Sequence, residues 1–285
     1  MAANDCVEVT LRNQRPSTKV AFHVAELDRT TASSGVDVGF NPENAVAPGA
    51  QRKYRYYADD ERIGSATITD FGDAERGQKA GLYGAIVVAP EGATFSDPAS
   101  GAPSDVGAQV VVRAPGRPAY RDVTLQFQDD DARIGANEMP YPTAVTGRTE
   151  INYRSAGRRN DTAAAFSSAG GGDPATPLVR AYAGDPLQIH AIAAPGGEQG
   201  HNLSLGGLSW PLDARIAHSD EIQDMGFGPW ETVDATVIGG AGGRIRATGD
   251  LFYGDLRRPF VQAGMWGLIR VIDPADVKAD LKPLG

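Results

Sequence analysis

The chain contains few of the side chains that bind transition metals or cross-link a fold. Among 285 residues there is one cysteine, Cys6, and there are four histidines, His23, His190, His201 and His218. A single cysteine excludes a disulfide within the chain. Because soft transition metals depend on thiolate and imidazole ligands, these two counts limit any metal centre that the chain builds alone.

The sequence also lacks a long apolar run, a signal peptide and an excess of positive charge. No apolar run approaches the roughly 20 residues of a membrane-spanning helix, so we expect no membrane span. Residues 1–5 lack the basic and apolar regions of a signal peptide. The formal net charge of −9 disfavours contact with a phosphate backbone, so nucleic acid is not an expected partner.

One motif occurs twice, at residues 81–88 and 264–271. Each copy has two glycines around an aromatic residue, then an apolar stretch and a turn that contains proline. This pattern predicts a buried β-strand that is entered through a tight bend. Its repetition predicts two copies of one β-domain.

We predict a first domain over residues 1–117 and a second over residues 118–285, each large enough for its own core. Alternating strands are predicted near both starts, at 7–11 and 122–127. The stretch 93–116 is rich in Ser, Pro and Gly and is expected to be a linker or a long surface loop. Short strands separated by turn signals, with little helical periodicity, are typical of β-sandwiches.

Several segments resemble the multicopper oxidases, and in particular their large bacterial laccase-like and manganese-oxidase-like members. The resemblance covers nearly the whole chain, in segments 41–49, 54–59, 81–88, 201–211 and 249–271. It implies an all-β fold of two tandem cupredoxin-like Greek-key β-sandwiches. It also implies a copper-dependent oxidoreductase and an extracellular or periplasmic location, although no signal peptide is visible.

In that family, copper is held by His-x-His pairs, by a His-Cys-His triplet and by a methionine ten residues after the cysteine. In the first domain, the resemblance places one pair on His23 and Ala25 and the other on Thr69 and Phe71. Only His23 therefore remains of the ligands in this domain.

In the second domain, the histidine-rich run of the family corresponds to residues 201–208 and retains only His201, at the blue-copper position. The triplet corresponds to residues 254–256, where Asp255 stands in place of the cysteine. Met265 lies ten residues beyond Asp255, at the position of the axial ligand. The resemblance thus implies four vestigial metal positions: His201, Asp255, Met265 and His23. We expect no cofactor for this chain alone, and copper only if a reduced or shared site persists.

Three functions are compatible with these replacements. The leading hypothesis is a copper-free structural or interaction module of a larger multicopper-oxidase-like protein, whose partners are further cupredoxin domains or another chain. The second is a component of a copper-dependent oxidase of phenols or Mn(II), with ligands completed by another chain; it predicts that His23 and His201 face that chain. The third is a small-molecule pocket between the domains, lined by Phe71, Leu208, Phe260 and Met265.

Other polar clusters carry weaker predictions. Residues 129–131, three consecutive aspartates, lack the alternation of a calcium-binding loop and are predicted to form an exposed loop at a strand end. Asp70, Asp73 and Glu75 have no nearby nucleophile or histidine in the sequence, which disfavours acid–base chemistry. The glycine-rich segment 239–243 predicts a flexible hairpin loop rather than a phosphate loop.

Overall fold

The computed structural model describes residues 1–60, 64–130, 147–156, 172–197 and 199–284, apart from the side chain of Glu75. Within these residues the chain forms short β-strands, two short α-helices and one 3-10 turn, which confirms the all-β prediction. Neither helix is long and apolar enough to cross a bilayer.

The chain divides into two compact units. The first comprises Met1–Ala93 and Ala194–Gly196, and the second comprises Thr94–Ala193 and Gly197–Gly285. Ala194–Gly196 follows a strand of the second unit, so the chain returns briefly to the first unit before it completes the second.

The first unit contains two antiparallel sheets. Its elements are β1 (Cys6–Arg12), β2 (His23–Val24), the 3-10 turn (Thr31–Ser33), β3 (Gln51–Tyr57), β4 (Ser65–Thr69), α1 (Ala74–Lys79) and β5 (Tyr83–Val87). Strand β1 pairs with β3, and β4 lies between β2 and β5. The core between them is formed by apolar and tyrosine side chains, among them Val24, Leu27, Tyr54, Tyr56 and Ala66.

The second unit is a sandwich of two mixed sheets. Its elements are β6 (Thr94–Ser96), β7 (Gln109–Arg113), β8 (Tyr120–Asp129), β9 (Thr149–Ile151), β10 (Leu178–Tyr182), β11 (Leu187–Ala193), β12 (His201–Ser204), β13 (Trp210–Pro211), β14 (Glu221–Ile222), β15 (Asp224–Phe227), β16 (Thr232–Thr236), β17 (Gly249–Asp255), α2 (Arg258–Gln262) and β18 (Trp266–Ile272). One sheet has the order β16-β11-β8-β7-β6, with β9 on β8, and the other has the order β10-β18-β17-β12-β15. Both sheets contribute apolar side chains to one core, such as Leu125, Ile189, Leu203, Tyr253 and Ile269.

The predicted linker at 93–116 was wrong, because this stretch contains β6 and β7. Strand β6 pairs with β7 and β7 with β8, and the second compact unit includes all three from Thr94 onward. The three valines of β7 favour a strand, but the Ser, Pro and Gly residues around them dominate the composition of the whole segment.

The glycine-rich segment 239–243, predicted as a flexible hairpin loop, forms a turn that is buried at residues 240–242. Ala241 at its centre is fully buried, and its N–H donates to the carbonyl of Asp185 at 2.9 Å. Gly240 has a φ of +73°, and a Cβ there would lie 2.5 Å from the Asp185 carbonyl oxygen. The glycines therefore allow a packed turn against the neighbouring backbone.

The repeated motif has the same surroundings in both units. In the first unit, β4, α1 and β5 form a strand, a short helix and an antiparallel strand, and β17, α2 and β18 repeat this order in the second. Thr69 pairs with Tyr83, and Gly254 pairs with Trp266. Since Tyr83 and Trp266 are the aromatic residues of the motif, this register makes Thr69 equivalent to Gly254.

The second glycine of the motif provides a test of this packing. A Cβ on Gly267 would lie 2.4 Å from the ring of Tyr253, which is fully buried and donates to the Pro177 carbonyl. At the equivalent Gly84, a Cβ would meet only the flexible end of Ile68, at 3.4 Å. We expect Gly267→Ala to lower the free energy of unfolding by about 1–3 kcal/mol. Gly84→Ala should change it by less than about 0.5 kcal/mol. Urea titrations of both variants measure the difference, and equal losses would contradict this account.

Candidate functional site

Three ionisable side chains meet inside the sandwich of the second unit. His201 begins β12 and Asp255 ends β17, in one sheet, whereas Asp129 ends β8, in the other. His201 Nδ1 lies 2.8 Å from Asp255 Oδ2, and His201 Nε2 lies 3.2 Å from Asp129 Oδ2. All three side chains are at most 1% exposed. In this Asp129–His201–Asp255 triad, the His201–Asp129 contact links the two sheets, and the His201–Asp255 contact joins two strands of one sheet.

Aromatic side chains enclose the imidazole. The rings of Phe127 and Phe227 have centroids 5.9 Å from that of His201, and the ring of Phe260 lies edge-on at 5.0 Å. An apolar shell of this kind excludes water and lowers the local dielectric constant, which strengthens the pairing inside it.

The triad favours the protonated form of its histidine. Burial lowers the pKa of His201, but the hydrogen bonds and charges of Asp129 and Asp255 outweigh it, so the net pKa is raised. A carboxylate accepts hydrogen bonds, and an imidazole that faces a carboxylate at each nitrogen donates from both nitrogens only as the imidazolium ion. The triad is thus one cation between two anions.

Asp255 is held by more than His201. Its Oδ1 accepts the backbone N–H of Asn202 at 3.1 Å and that of Arg257 at 2.8 Å. Both of its oxygens are consequently occupied by donors.

The donor set does not fit a blue-copper site. A histidine binds a metal through an unprotonated nitrogen, whereas each nitrogen of His201 faces a carboxylate on opposite edges of the ring. Met265 is fully buried in the apolar core, and the single cysteine, Cys6, is exposed on β1 of the first unit. In the part of the chain that the structure describes, no three His, Cys, Asp or Glu side chains are placed to hold a metal ion.

His23 has a different environment, on β2 of the first unit. Its Nδ1 lies 2.5 Å from the carbonyl oxygen of Ser34, and its ring meets Phe71 edge-on with centroids 5.1 Å apart. Burial lowers the pKa of His23, which favours the neutral ring with its proton on Nδ1. Nε2 has no hydrogen-bond partner among the described residues. His23 is therefore a neutral imidazole with one available lone pair.

Asp70 in the first unit accepts backbone hydrogen bonds in the same way as Asp255 in the second. Asp70 follows Thr69, just as Asp255 follows Gly254, and its Oδ1 accepts the N–H of Ala21 at 2.7 Å and that of Gly72 at 2.8 Å. These donors correspond to Asn202 and Arg257. Valine occupies position 20, where the second unit has His201.

The missing histidine leaves a polar atom buried without a partner. Asp70 is 1% exposed, and its Oδ2 has no hydrogen-bond partner among the described residues. Asp73 precedes α1, and the side chain of Glu75 lies outside the described part of the chain. Asp70 thus forms no ion pair with any residue that the structure describes.

Sequence reasoning missed Asp129. The prediction of an exposed loop was wrong for this residue, because β8 continues through it and its side chain is fully buried. Asp130 is exposed as predicted, and Asp131 lies outside the described residues. Val123, Leu125 and Phe127 alternate toward the core, and extending their alternation by one step would have placed Asp129 there.

A second histidine, also missed, has the same type of neighbours. His190 Nδ1 lies 2.6 Å from Asp234 Oδ1, and its Nε2 lies 3.3 Å from Asp122 Oδ2. The three residues lie on β11, β16 and β8, on the face opposite the core, because Ile189 and Ala191 point inward. Burial opposes protonation, but the two carboxylates prevail and raise the pKa of His190 to about 10.

The repeated carboxylates provide a matched pair of variants. Asp255→Asn removes the carboxylate that faces His201 Nδ1, and with it one of the two buried charge-assisted hydrogen bonds of the triad, so we expect a loss of about 1.5–3 kcal/mol in the free energy of unfolding. Asp70→Asn keeps Oδ1 and removes only an unpaired buried charge, so its effect should stay within about 1 kcal/mol. Denaturant unfolding at neutral pH compares the two, and an Asp70→Asn loss as large as that of Asp255→Asn would refute the role of the triad.

The raised pKa of His190 predicts how stability depends on pH. Above the usual histidine pKa of about 6.5 the unfolded chain loses this proton, whereas the folded chain keeps it until about pH 10. The free energy of unfolding should therefore fall between pH 6.5 and pH 10, by an amount on the order of a few kcal/mol. His190→Asn should flatten this dependence. The control is His218→Asn, at an exposed position whose φ of +61° suits asparagine, and it should keep the wild-type slope.

Comparison with known proteins identifies the fold. No protein-family model matches the chain, and no curated protein sequence matches it. Blue copper oxidase from Nitrosomonas europaea is similar in structure, with a TM-score of 0.61 and 17% identity over 95% of this chain and 74% of its own. Copper nitrite reductase from Nitrosomonas europaea has a TM-score of 0.63 and 14% identity over 98% of this chain and 83% of its own. Laccase from Botrytis aclada has a TM-score of 0.59 and 15% identity over 99% of this chain and 49% of its own. The chain thus has the cupredoxin-like β-sandwich fold of these copper proteins, as the resemblance implied.

Proposed function

We propose that this chain is a copper-free cupredoxin tandem that serves as a structural or interaction module of a larger multicopper-oxidase-like protein or complex. The observation that carries the proposal is the Asp129–His201–Asp255 triad. It contains the residues that correspond to the blue-copper histidine and the thiolate ligand, and these residues satisfy each other and their neighbours.

The chemistry of the triad opposes copper binding. Copper at His201 would have to displace a proton from a ring whose pKa is raised and separate that nitrogen from a buried carboxylate. Leaving one member of a buried ion pair without its partner is costly. Aspartate also supplies a hard oxygen where blue copper depends on a soft thiolate.

The triad replaces one function of a metal, which is to hold strands together. A structural module has to keep a fixed surface for its partners, and the buried His201–Asp129 contact holds the two sheets in one arrangement. Its proposed partners are further cupredoxin domains or another chain of the same oxidase. Its proposed location is extracellular or periplasmic.

A second candidate function rests on His23 alone. With its proton held toward Ser34 and Nε2 available, this imidazole has the tautomer that a metal-binding histidine requires. It could donate one ligand to a copper site that another chain completes, in an oxidase of phenols or Mn(II). His201 has no such free nitrogen, because each of its ring nitrogens faces a carboxylate, so this second candidate function rests on the first unit only.

Copper loading tests both functions. We expect the purified chain, after incubation with copper and dialysis, to retain well below one copper per chain by elemental analysis. An oxygen-coupled assay of phenol oxidation should show no activity above that of free buffer. The physical reason is that both nitrogens of His201 are engaged with carboxylates.

Two variants separate the outcomes. Stoichiometric copper that is lost in His201→Gln and kept in His23→Gln would overturn the copper-free module. Copper that is lost in His23→Gln and kept in His201→Gln would favour the shared site instead.

A further inference from the structure

We propose that the chain associates with a second copy of itself, by inserting an exposed aromatic residue of one copy into an arginine-lined cavity of the other. Both surfaces belong to the first unit. The proposal goes beyond the proposed function and does not depend on whether any copper is bound.

The insertion element is the loop of residues 36–45, which we call the anchor loop. Phe40 at its apex is fully exposed, and the neighbouring Val38 is 60% exposed. The N–H of Asn41 donates to the Val38 carbonyl at 3.0 Å and closes a tight turn around them. The turn thus presents two apolar side chains outward, and the ring of Phe40 is surrounded by solvent.

The base of the anchor loop is fixed from within. Asn44 is fully buried, and its side-chain amide donates to the carbonyls of Thr31 at 3.1 Å and Pro42 at 2.7 Å. The backbone carbonyl of Asn44 accepts a hydrogen bond from the hydroxyl of Tyr54 at 2.6 Å. Asp37 also accepts the backbone N–H groups of Asn44 and Ala45 through Oδ1. A loop that is ordered before binding loses little entropy on association, and a rigid aromatic anchor is typical of an interface hot spot.

The receiving element is a cavity of about 510 Å³ beside the end of β1. It is lined by Arg12, Asn13, Gln14, Arg15, Pro16, Pro48, Gly49, Ala50 and Gln51. Asn13 holds its floor, since its side chain donates to the carbonyls of Thr18 and Val46, both at 2.8 Å. The cavity is therefore also preformed.

Two arginines, Arg12 and Arg15, line the cavity. Neither Arg12 nor Arg15 forms an ion pair within the described residues, and Nη1 of Arg15 is buried without a hydrogen-bond partner. Other exposed arginines of the chain, such as Arg215 and Arg244, pair with carboxylates. The cavity thus combines unpaired positive charge with the apolar faces of two prolines.

The anchor loop is complementary to this cavity. Its only charged residues are Asp37 and Glu43, both exposed acids. Glu43 pairs with Lys19 of its own copy, so the loop together with this lysine keeps a net charge of −1, which complements the two arginines. A guanidinium group over an aromatic face is attracted by the ring, which suits Phe40 beside Arg12 or Arg15. An anionic membrane is a less suitable surface for the insertion of Phe40, because the acids of the loop and the net charge of −9 would be repelled by it.

Sedimentation velocity over micromolar to submillimolar concentrations tests the proposal. We expect the wild-type chain to associate as its concentration rises. Phe40→Ser should weaken this association by about thirty-fold, the effect of removing a hot-spot aromatic residue. The matched control is Val106→Ser, at an apolar position of the second unit that is 77% exposed, and it should associate like the wild type.

Charge reversal adds a test that does not alter the anchor ring. Arg12→Glu and Glu43→Arg should each weaken the association, and the double variant should recover part of it. Circular dichroism confirms that each variant is folded, which we expect because the changed side chains are exposed. A wild-type chain that stays monomeric at all concentrations, or a Phe40→Ser variant that associates as strongly as the wild type, would overturn the proposal.

Discussion

The ionic pairing of one buried imidazole with two carboxylates is the constraint on which the second unit depends. Asp129 comes from one sheet, and His201 and Asp255 come from the other, so the pairing requires the ends of β8, β12 and β17 to meet. Because these charges are far from water, removing any one of them takes a hydrogen-bond partner from a buried charged group. The same mutual dependence makes the site a poor host for a metal, whose binding would have to break the pairing first.

The first unit shows what this arrangement is like without its histidine. Asp70 keeps the two backbone donors that Asp255 has, yet Oδ2 has no hydrogen-bond partner among the described residues, since valine occupies position 20. The backbone support of the carboxylate is therefore a property of the repeated strand–helix–strand unit. The ion pair of the second unit arises because His201 is present beside this carboxylate.

Much of the fold was predictable, because its signals are local. The motif that contains Tyr83 and Trp266 places aromatic and apolar residues where a strand must be buried, and the structure has a strand at both copies. The partners in the site are not local. His201 is 72 residues from Asp129 and 54 from Asp255, and Asp129 lies in a different sheet from the other two, so only the packing of the two sheets brings them together. No spacing rule predicts such contacts, so Asp129 was assigned to a loop by its acidic neighbours alone.

The return of Ala194–Gly196 to the first unit has a consequence for the order in which the protein is made. Gly196 packs against α1 so closely that a Cβ would lie 2.9 Å from that of Gln78. A ribosome that has released Met1–Ala93 has therefore not yet supplied the last piece of that unit. It must first synthesise β6 to β11, so the first unit can be completed only after about half of the second unit has been made. Synthesis from end to end thus does not separate the two units in time, although domains generally fold as units in the order of their synthesis.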